Sequence, residues 1–316
     1  MPSLVGSEMC IRDRVLVLKG IILAGGLGSR LYPITHVVCK QLLPIFDKPM
    51  IFYPLSVLLL SGIRDILIIT TPADMPKFEA LLGNGEHLGI SLSYKSQNSP
   101  NGIADAFRIG ASFIGEESVA LILGDNIFYG NSFASILQRC RHHKSGAVIF
   151  GYEMEDPKRY GILQFDNCGQ VVDILEKPKN PPSSIAVTGL YYYDNQVISF
   201  AKSLTPSARG ELEITDINRM YVRENNLKWI LLDRGFAWLD TGTPTALAQA
   251  SNYIQTIQER QGIKVACLEE ISYEMGYIDL DQLYILANRY GSTDYGKYLR
   301  NIVHKEKQPV VSSYVF

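Results

Sequence analysis

A short apolar run, Ile21-Ile22-Leu23, empties into Ala24-Gly25-Gly26-Leu27-Gly28-Ser29-Arg30. An apolar run of this length bounded by glycines reads as a buried strand. Glycines accept φ > 0, and successive N–H groups in such a turn make a nest for anions. Arg30, and Lys40 ten residues on, add positive charge. The chain is therefore constrained to a strand whose carboxyl end carries an anion-binding loop, which suits a polyphosphate. Two common loops fail on spacing. A P-loop needs Gly-Lys-Ser/Thr, but Gly28 is followed by Ser29-Arg30. A dinucleotide fingerprint needs G-x-G-x-x-G, but counting from Gly26 its last position is Leu31. Gly83-Asn84-Gly85 follows a helix-like segment and reads as a helix stop and turn.

Short apolar runs then alternate with helix-period segments. Strands are predicted at Ile21–Leu23, Ile66–Thr70, Leu92–Tyr94, Val119–Leu123 and Ala147–Gly151. Helices are predicted at Met50–Leu60, Pro76–Leu82, Ile103–Phe113 and Ser132–His142. Such alternation argues a mostly parallel sheet with helices on both faces. Ligands in these sheets sit beyond the carboxyl ends of the strands, where the glycine loop and Asp125 both fall. Beyond Gly151, strands at Ile162–Phe165, Val171–Leu175 and Val187–Tyr193 are joined by turn signals, and from Ala246 the chain turns mainly helical.

Bulk properties exclude other classes. A formal net charge of −2 gives no global attraction to nucleic acid or an anionic membrane. No apolar run reaches a membrane span, because the longest, Tyr53–Ile63, is broken by Pro54, Ser56, Ser61 and Gly62. Five cysteines without a C-x-x-C pair argue for free thiols in a reducing, cytoplasmic setting. His142-His143 reads as a solvated helix face.

Further blocks agree in order with the glycine loop: Lys40-Gln41-Leu42-Leu43-Pro44, Asp47-Lys48-Pro49-Met50, Leu123-Gly124-Asp125-Asn126, Arg159-Tyr160-Gly161, Glu176-Lys177-Pro178, Arg209–Asp216 and Ala237–Gly242. With them, the chain from about Leu18 to about Tyr298 resembles the sugar-nucleotide pyrophosphorylases, and among these the glucose-1-phosphate thymidylyltransferases. The resemblance implies a Rossmann-like three-layer α/β/α nucleotide-diphospho-sugar transferase fold, with a mostly parallel mixed sheet and a helical C-terminal extension. It implies a catalytic domain over residues 18–250, divided into a nucleotide half (18–150) and a sugar-phosphate half (151–250). Residues 251–316 would then serve oligomer contacts and regulation. Residues 1–17 precede the resemblance, and Glu8–Asp13 reads as one frame of a transposon-end adapter, so this stretch is expected to be a non-native leader.

The implied reaction is transfer of a thymidylyl group from dTTP to α-D-glucose 1-phosphate. Its products would be dTDP-glucose and pyrophosphate, as a first step toward dTDP-rhamnose or a related deoxysugar. Asp125 ends an apolar strand and Asp240 follows Phe236-Ala237-Trp238-Leu239, so the two carboxylates suit one Mg²⁺. By resemblance, Gly25, Gly26, Gly28, Ser29, Arg30 and Lys40 grip the triphosphate, and Gln97 and Gly102 read the base. Tyr160, Gly161, Glu176, Lys177, Val187, Thr215 and Trp238 line the sugar phosphate, with Lys177 holding its phosphate. A homotetramer built from dimers is implied too, with a second, regulatory nucleotide-sugar site around Tyr129, Gly130, Arg234, Lys264 and Glu270. Leu27, Cys39, Leu268 and Glu274 depart from the family pattern. Cys39, beside Lys40, is expected to expose the enzyme to alkylation, and the acidic Glu274 to weaken feedback control.

Three rival readings remain at this point. A uridylyltransferase differs by one methyl contact, worth about 1–3 kcal/mol. A glycosyltransferase would typically carry Asp-x-Asp, whereas Asp125 is followed by Asn126-Ile127. A non-catalytic nucleotide sensor could lack the phosphate-gripping residues, all of which this chain has.

Overall fold

The computed structural model describes residues 18–141 and 145–307. Residues 1–17, expected to be a leader, and the His142-His143 pair lie outside the described residues. The glycine loop follows β1 (Leu18–Ala24). The small hairpin β2 (Pro44–Ile45) and β3 (Lys48–Pro49) leads into α1 (Phe52–Leu60), then β4 (Asp65–Thr70), α2 (Met75–Leu82) and β5 (Ser91–Ser96). After β5 come α3 (Asp105–Ile109), α4 (Ala111–Ile114), β6 (Ser118–Leu123), β7 (Asn126–Tyr129) and α5 (Phe133–Cys140). The second half runs β8 (Ala147–Glu153), β9 (Gly161–Phe165), β10 (Val171–Glu176), β11 (Ile185–Tyr193), α6 (Val197–Ser203), α7 (Ile214–Arg223), β12 (Leu227–Leu232) and β13 (Ala237–Asp240). Four helices follow: α8 (Pro244–Gln261), α9 (Leu268–Glu274), α10 (Leu280–Arg289) and α11 (Asp294–Lys307).

The main sheet has nine strands, ordered β10-β9-β11-β6-β1-β4-β5, with β8 joining β11 to β12. Around β1 all pairings are parallel, with β4 and β6 on either side and β5 beyond β4. The strands contributed after residue 146 pair mainly antiparallel, with β12 parallel to β8. Central parallel strands are apolar on both faces because helices cover both. Successive residues point to opposite sides, so Ile22, Ile68, Ala120 and Ile122 pack with α1 and α5. Ile21, Leu67, Ile69, Val119 and Leu121 face the opposite core, with Phe107 and Ile217.

One predicted helix breaks in two. The segment Ile103–Phe113 divides into α3 and α4 at Gly110. There the chain lies so close to the sheet that a Cβ would stand 2.9 Å from Ile21 Cδ1. The Gly83 stop and Gly85 turn appear as expected, both with positive φ. No helix among the described residues is long and apolar enough to cross a membrane.

Candidate active site

A cleft of about 720 Å³ opens at the carboxyl ends of β1, β5 and β6. Its floor is set by a pairing that neither segment announces alone. Strand β13 runs antiparallel to β7, placing Asp240 opposite Asn126 and Trp238 opposite Phe128. The Thr241 hydroxyl donates to the Asp125 carbonyl at 2.9 Å. Asp125 and Asp240, far apart in sequence, thereby border one cavity.

The two carboxylates have opposite surroundings. Lys40, only 5% exposed, donates its Nζ to Asp125 Oδ2 at 2.5 Å. Asn126 Nδ2 donates to the other oxygen, Oδ1, at 3.0 Å. Burial alone would raise Asp125, but the Lys40 charge and hydrogen bond prevail and hold it below its ordinary pKa. Asp240 goes the other way: burial first, then the Asp125 charge, raise it. Tyr160 OH donates to Asp240 Oδ2 at 3.2 Å. Gly242 makes room beside it, since a Cβ there would lie 3.0 Å from Arg30 Nη2 and 3.1 Å from Asp240 Oδ1. Two oxygen-bearing carboxylates at one cavity, one of them raised by its neighbour's charge, are a donor set that fits a hard divalent cation.

The glycine loop turns at Gly28, whose φ of 62° is left-handed. Thr35 Oγ1 clamps the Gly28 carbonyl at 2.7 Å. Gly25, Gly26 and Arg30 line the cleft. Lys40 lines it only indirectly, through Asp125, and Ser29 is exposed beside it. At the far wall, Gln97 and Gly102 meet the cavity. Gly102 has φ 108°, and a Cβ on it would collide with the Leu212 backbone. That backbone clamps the segment, because Leu212 N donates to Asn101 O at 2.6 Å and Ala104 N to Leu212 O at 3.1 Å.

The opposite wall carries Tyr160, Gly161, Glu176, Lys177, Val187, Thr215 and Trp238. Glu176 is fixed by the Thr215 hydroxyl at 2.5 Å, with Arg209 Nη2 and Lys177 Nζ each at 3.3 Å. Lys177 has φ 45°, a left-handed conformation costing an L-residue about 1–2 kcal/mol. Val187 and Trp238 are each only 7% exposed, as core residues are, yet both border the cavity. Trp238 Nε1 donates to Asn126 Oδ1 at 2.6 Å, and its ring tilts on Tyr160 with centroids 4.9 Å apart.

Sequence reasoning gave no role to Arg209, Asn126, Lys158 or Arg159, all of which line the cleft. Arg209 is pinned by Glu213, at 2.7 Å and 2.8 Å, on the cavity wall. A charged residue amid acids reads as a solvated pair in sequence, and no local signal reveals the cavity.

One expectation is corrected. Cys39 is buried, 2.9 Å from Gln41 Oε1, and burial pushes its thiol up to about 11. Burial and a raised pKa both work against the reactive thiol expected beside Lys40. The five expected regulatory residues lie outside the cleft. Tyr129 OH donates to Gln261 Oε1 at 2.5 Å, and Gly130 packs on Phe236. Arg234 is exposed. Lys264 is tied to Asp47 at 2.6 Å, and Glu270 accepts from Tyr298 OH at 2.7 Å. Of the departures, Leu27 is exposed, Leu268 is core, and Glu274 ends α9 on the surface.

A family profile described as nucleotidyl transferase matches residues 19–257. The chain belongs to the nucleotidyl transferase family. Among relatives in this nucleotidyl transferase family, a glucose-1-phosphate thymidylyltransferase of Neisseria meningitidis is 53% identical over 288 residues, covering 91% of this chain and 100% of the relative. One from Mycolicibacterium smegmatis is 52% identical over 289 residues, 92% of this chain and 100% of the relative. Of solved structures, a Bacillus anthracis protein provisionally assigned as a glucose-1-phosphate thymidylyltransferase, in complex with sucrose, aligns at TM-score 0.70. It is 42% identical and covers 75% of this chain and 95% of its own. A UDP-glucose pyrophosphorylase complexed with UDP-glucose aligns at TM-score 0.67 and 23% identity, over 77% of this chain and 100% of its own, a likeness of fold alone.

Proposed function

We propose that this nucleotidyltransferase is a glucose-1-phosphate thymidylyltransferase. It transfers a thymidylyl group from dTTP to α-D-glucose 1-phosphate and releases dTDP-glucose and pyrophosphate. The observation that carries the reading is the β7–β13 pairing. It sets Asp125 and Asp240 between a glycine loop with Arg30 on one side and the Glu176–Lys177–Arg209 wall on the other.

Two anionic substrates would meet at those carboxylates. A phosphate monoester has its second pKa near about 6, so glucose 1-phosphate is largely dianionic at neutral pH. Its oxygen attacks the α-phosphorus, and the bond to the pyrophosphate oxygen breaks. No general base is needed, in keeping with a cleft bordered by no histidine among the described residues. Positioning and charge neutralisation remain as the chain's task. Loop N–H groups and Arg30 would take the charge of the leaving pyrophosphate. Lys177 and Arg209 would aim the sugar phosphate, and Glu176, steadied by Thr215, would accept from sugar hydroxyls. Lys40 would hold Asp125 ionised and in place. Asp125 and Asp240 are the residues proposed to hold Mg²⁺, whose chemistry when bound is to neutralise polyphosphate charge.

A homotetramer, a feedback site at Tyr129, Gly130, Arg234, Lys264 and Glu270, and a cytoplasmic location belong to the same proposal. Free cysteines among the described residues support the last of these. The catalytic unit is proposed as residues 18–250. Asp240→Asn is expected to lose kcat by at least a hundredfold while folding normally; Asp125→Asn should lose as much and also unfold at lower temperature, because it leaves Lys40 buried without its carboxylate. Normal turnover of both at saturating Mg²⁺ would refute the assignment.

A further inference from the structure

Gln97 stands in the corner assigned above to the base, and its side chain is 5% exposed. Its amide presents two different faces, a carbonyl acceptor and an N–H donor. Which of them meets the cleft decides which base edge can pair. Asp105, 8% exposed, settles the choice. Its Oδ2 accepts from Gln97 Nε2 at 2.9 Å and from Asn101 Nδ2 at 3.2 Å. An ionised carboxylate can only accept, so the Gln97 nitrogen is drawn toward Asp105. Gln97 Oε1 is left on the other side, 2.8 Å from where a Cβ on Gly25 would stand. Gly25 and Gln97 both line the cavity.

We infer that Asp105 is a specificity-determining residue that never touches the nucleotide: by fixing the Gln97 amide it presents an acceptor and selects bases carrying a ring N–H donor. The inference rests on the reading of Gln97 as a base contact. Thymine and uracil carry N3–H between two carbonyls. Cytosine carries a bare acceptor at N3, which would face the Gln97 oxygen with no proton between them. A site built on one hydrogen-bond polarity rejects the opposite one strongly, because buried polar groups are left unpaired. Flipping Gln97 to suit cytosine would set its oxygen against the Asp105 carboxylate. An asparagine at 105 offers an N–H as well as an oxygen and so accepts both orientations.

The test compares kcat/KM for dTTP and dCTP in the wild type, Asp105→Asn, Asp105→Ser, Asp105→Glu and Gln97→Ala, with the KM of glucose 1-phosphate as internal reference. Asp105→Asn is expected to narrow the dTTP:dCTP ratio at least tenfold, mainly through a lower KM for dCTP. Asp105→Glu, still acceptor-only, should keep discrimination, and the glucose 1-phosphate KM should not move. Asp105→Ser, which also frees the amide, gives the same reading should the asparagine variant fold poorly. An unchanged ratio in both, with Gln97→Ala collapsing it, would overturn the inference about Asp105. An unchanged ratio in Gln97→Ala would instead overturn the base-contact reading.

Discussion

Replacing Lys40 by methionine tests whether a single buried cation keeps the catalytic carboxylate charged. The two groups are 2.5 Å apart and Lys40 is 5% exposed. At an effective dielectric of about 20, unit charges at that separation attract by roughly 7 kcal/mol. Desolvation of the lysine offsets part of this. Removing one partner of such a pair typically costs about 3–5 kcal/mol, since the other charge stays buried. Methionine fills similar volume, so little of the loss comes from a cavity. In metal-free buffer at pH 7 the variant should unfold roughly 5–8 °C lower. The sign with pH follows from Asp125, whose pKa Lys40 holds below its ordinary value. That stability is present above the unfolded carboxylate pKa and is lost as pH falls through the folded one. In the variant, burial is left to raise the Asp125 pKa, so protonation relieves the cost. The gap between wild type and variant should therefore be widest at neutral pH and close toward about pH 4. Thermal unfolding followed by circular dichroism from pH 4 to 8 measures it. A pH-independent gap, or one under about 1 kcal/mol at pH 7, would refute the reasoning, because an exposed ion pair behaves that way.

Two further outcomes follow from local surroundings. Burial raises Glu270 from 4.5 to about 7 despite the Tyr298 hydrogen bond, with Glu274 adding to the rise; its stability contribution is full below about pH 4.5 and is lost as pH rises through 7, an upper bound of about 3 kcal/mol. Glu270→Gln should flatten that stretch of the stability–pH curve, and parallel curves for the two proteins would contradict it. Lys177→Gly relieves a left-handed φ while adding unfolded-chain entropy, so stability should stay within about 1 kcal/mol of wild type. The same variant should raise the KM of glucose 1-phosphate at least tenfold, and an unchanged KM would remove Lys177 from the sugar phosphate.

The parts legible in sequence are those with local causes. Strand β1 was visible because its mostly buried end, residues 21–24, is an unbroken apolar run followed directly by glycines. Asp125 was visible because it follows another such run, two residues past the end of β6. What pairs β7 with β13 was not visible. Each strand has four residues, and Asn126 and Trp238 stand 112 apart in the chain. Their meeting is decided by the closing of the whole sheet, not by any window. Helix periodicity ran straight through Gly110, since only the sheet beneath makes that glycine a break. Asp105 at the start of a helix reads as an ordinary favourable first-turn acid; its role depends on Gln97 and Asn101 folding back onto it. Cys39 failed in the opposite sense. Its neighbour Lys40 suggested a reactive thiol, and burial works against that.

The most direct measurement is pyrophosphate release by the full chain with glucose 1-phosphate and Mg²⁺, comparing dTTP with UTP, dCTP, ATP and GTP. The account predicts release with dTTP, weaker release with UTP, little with the others, and none after EDTA. Equal turnover with dCTP, or release undiminished by EDTA, would contradict it.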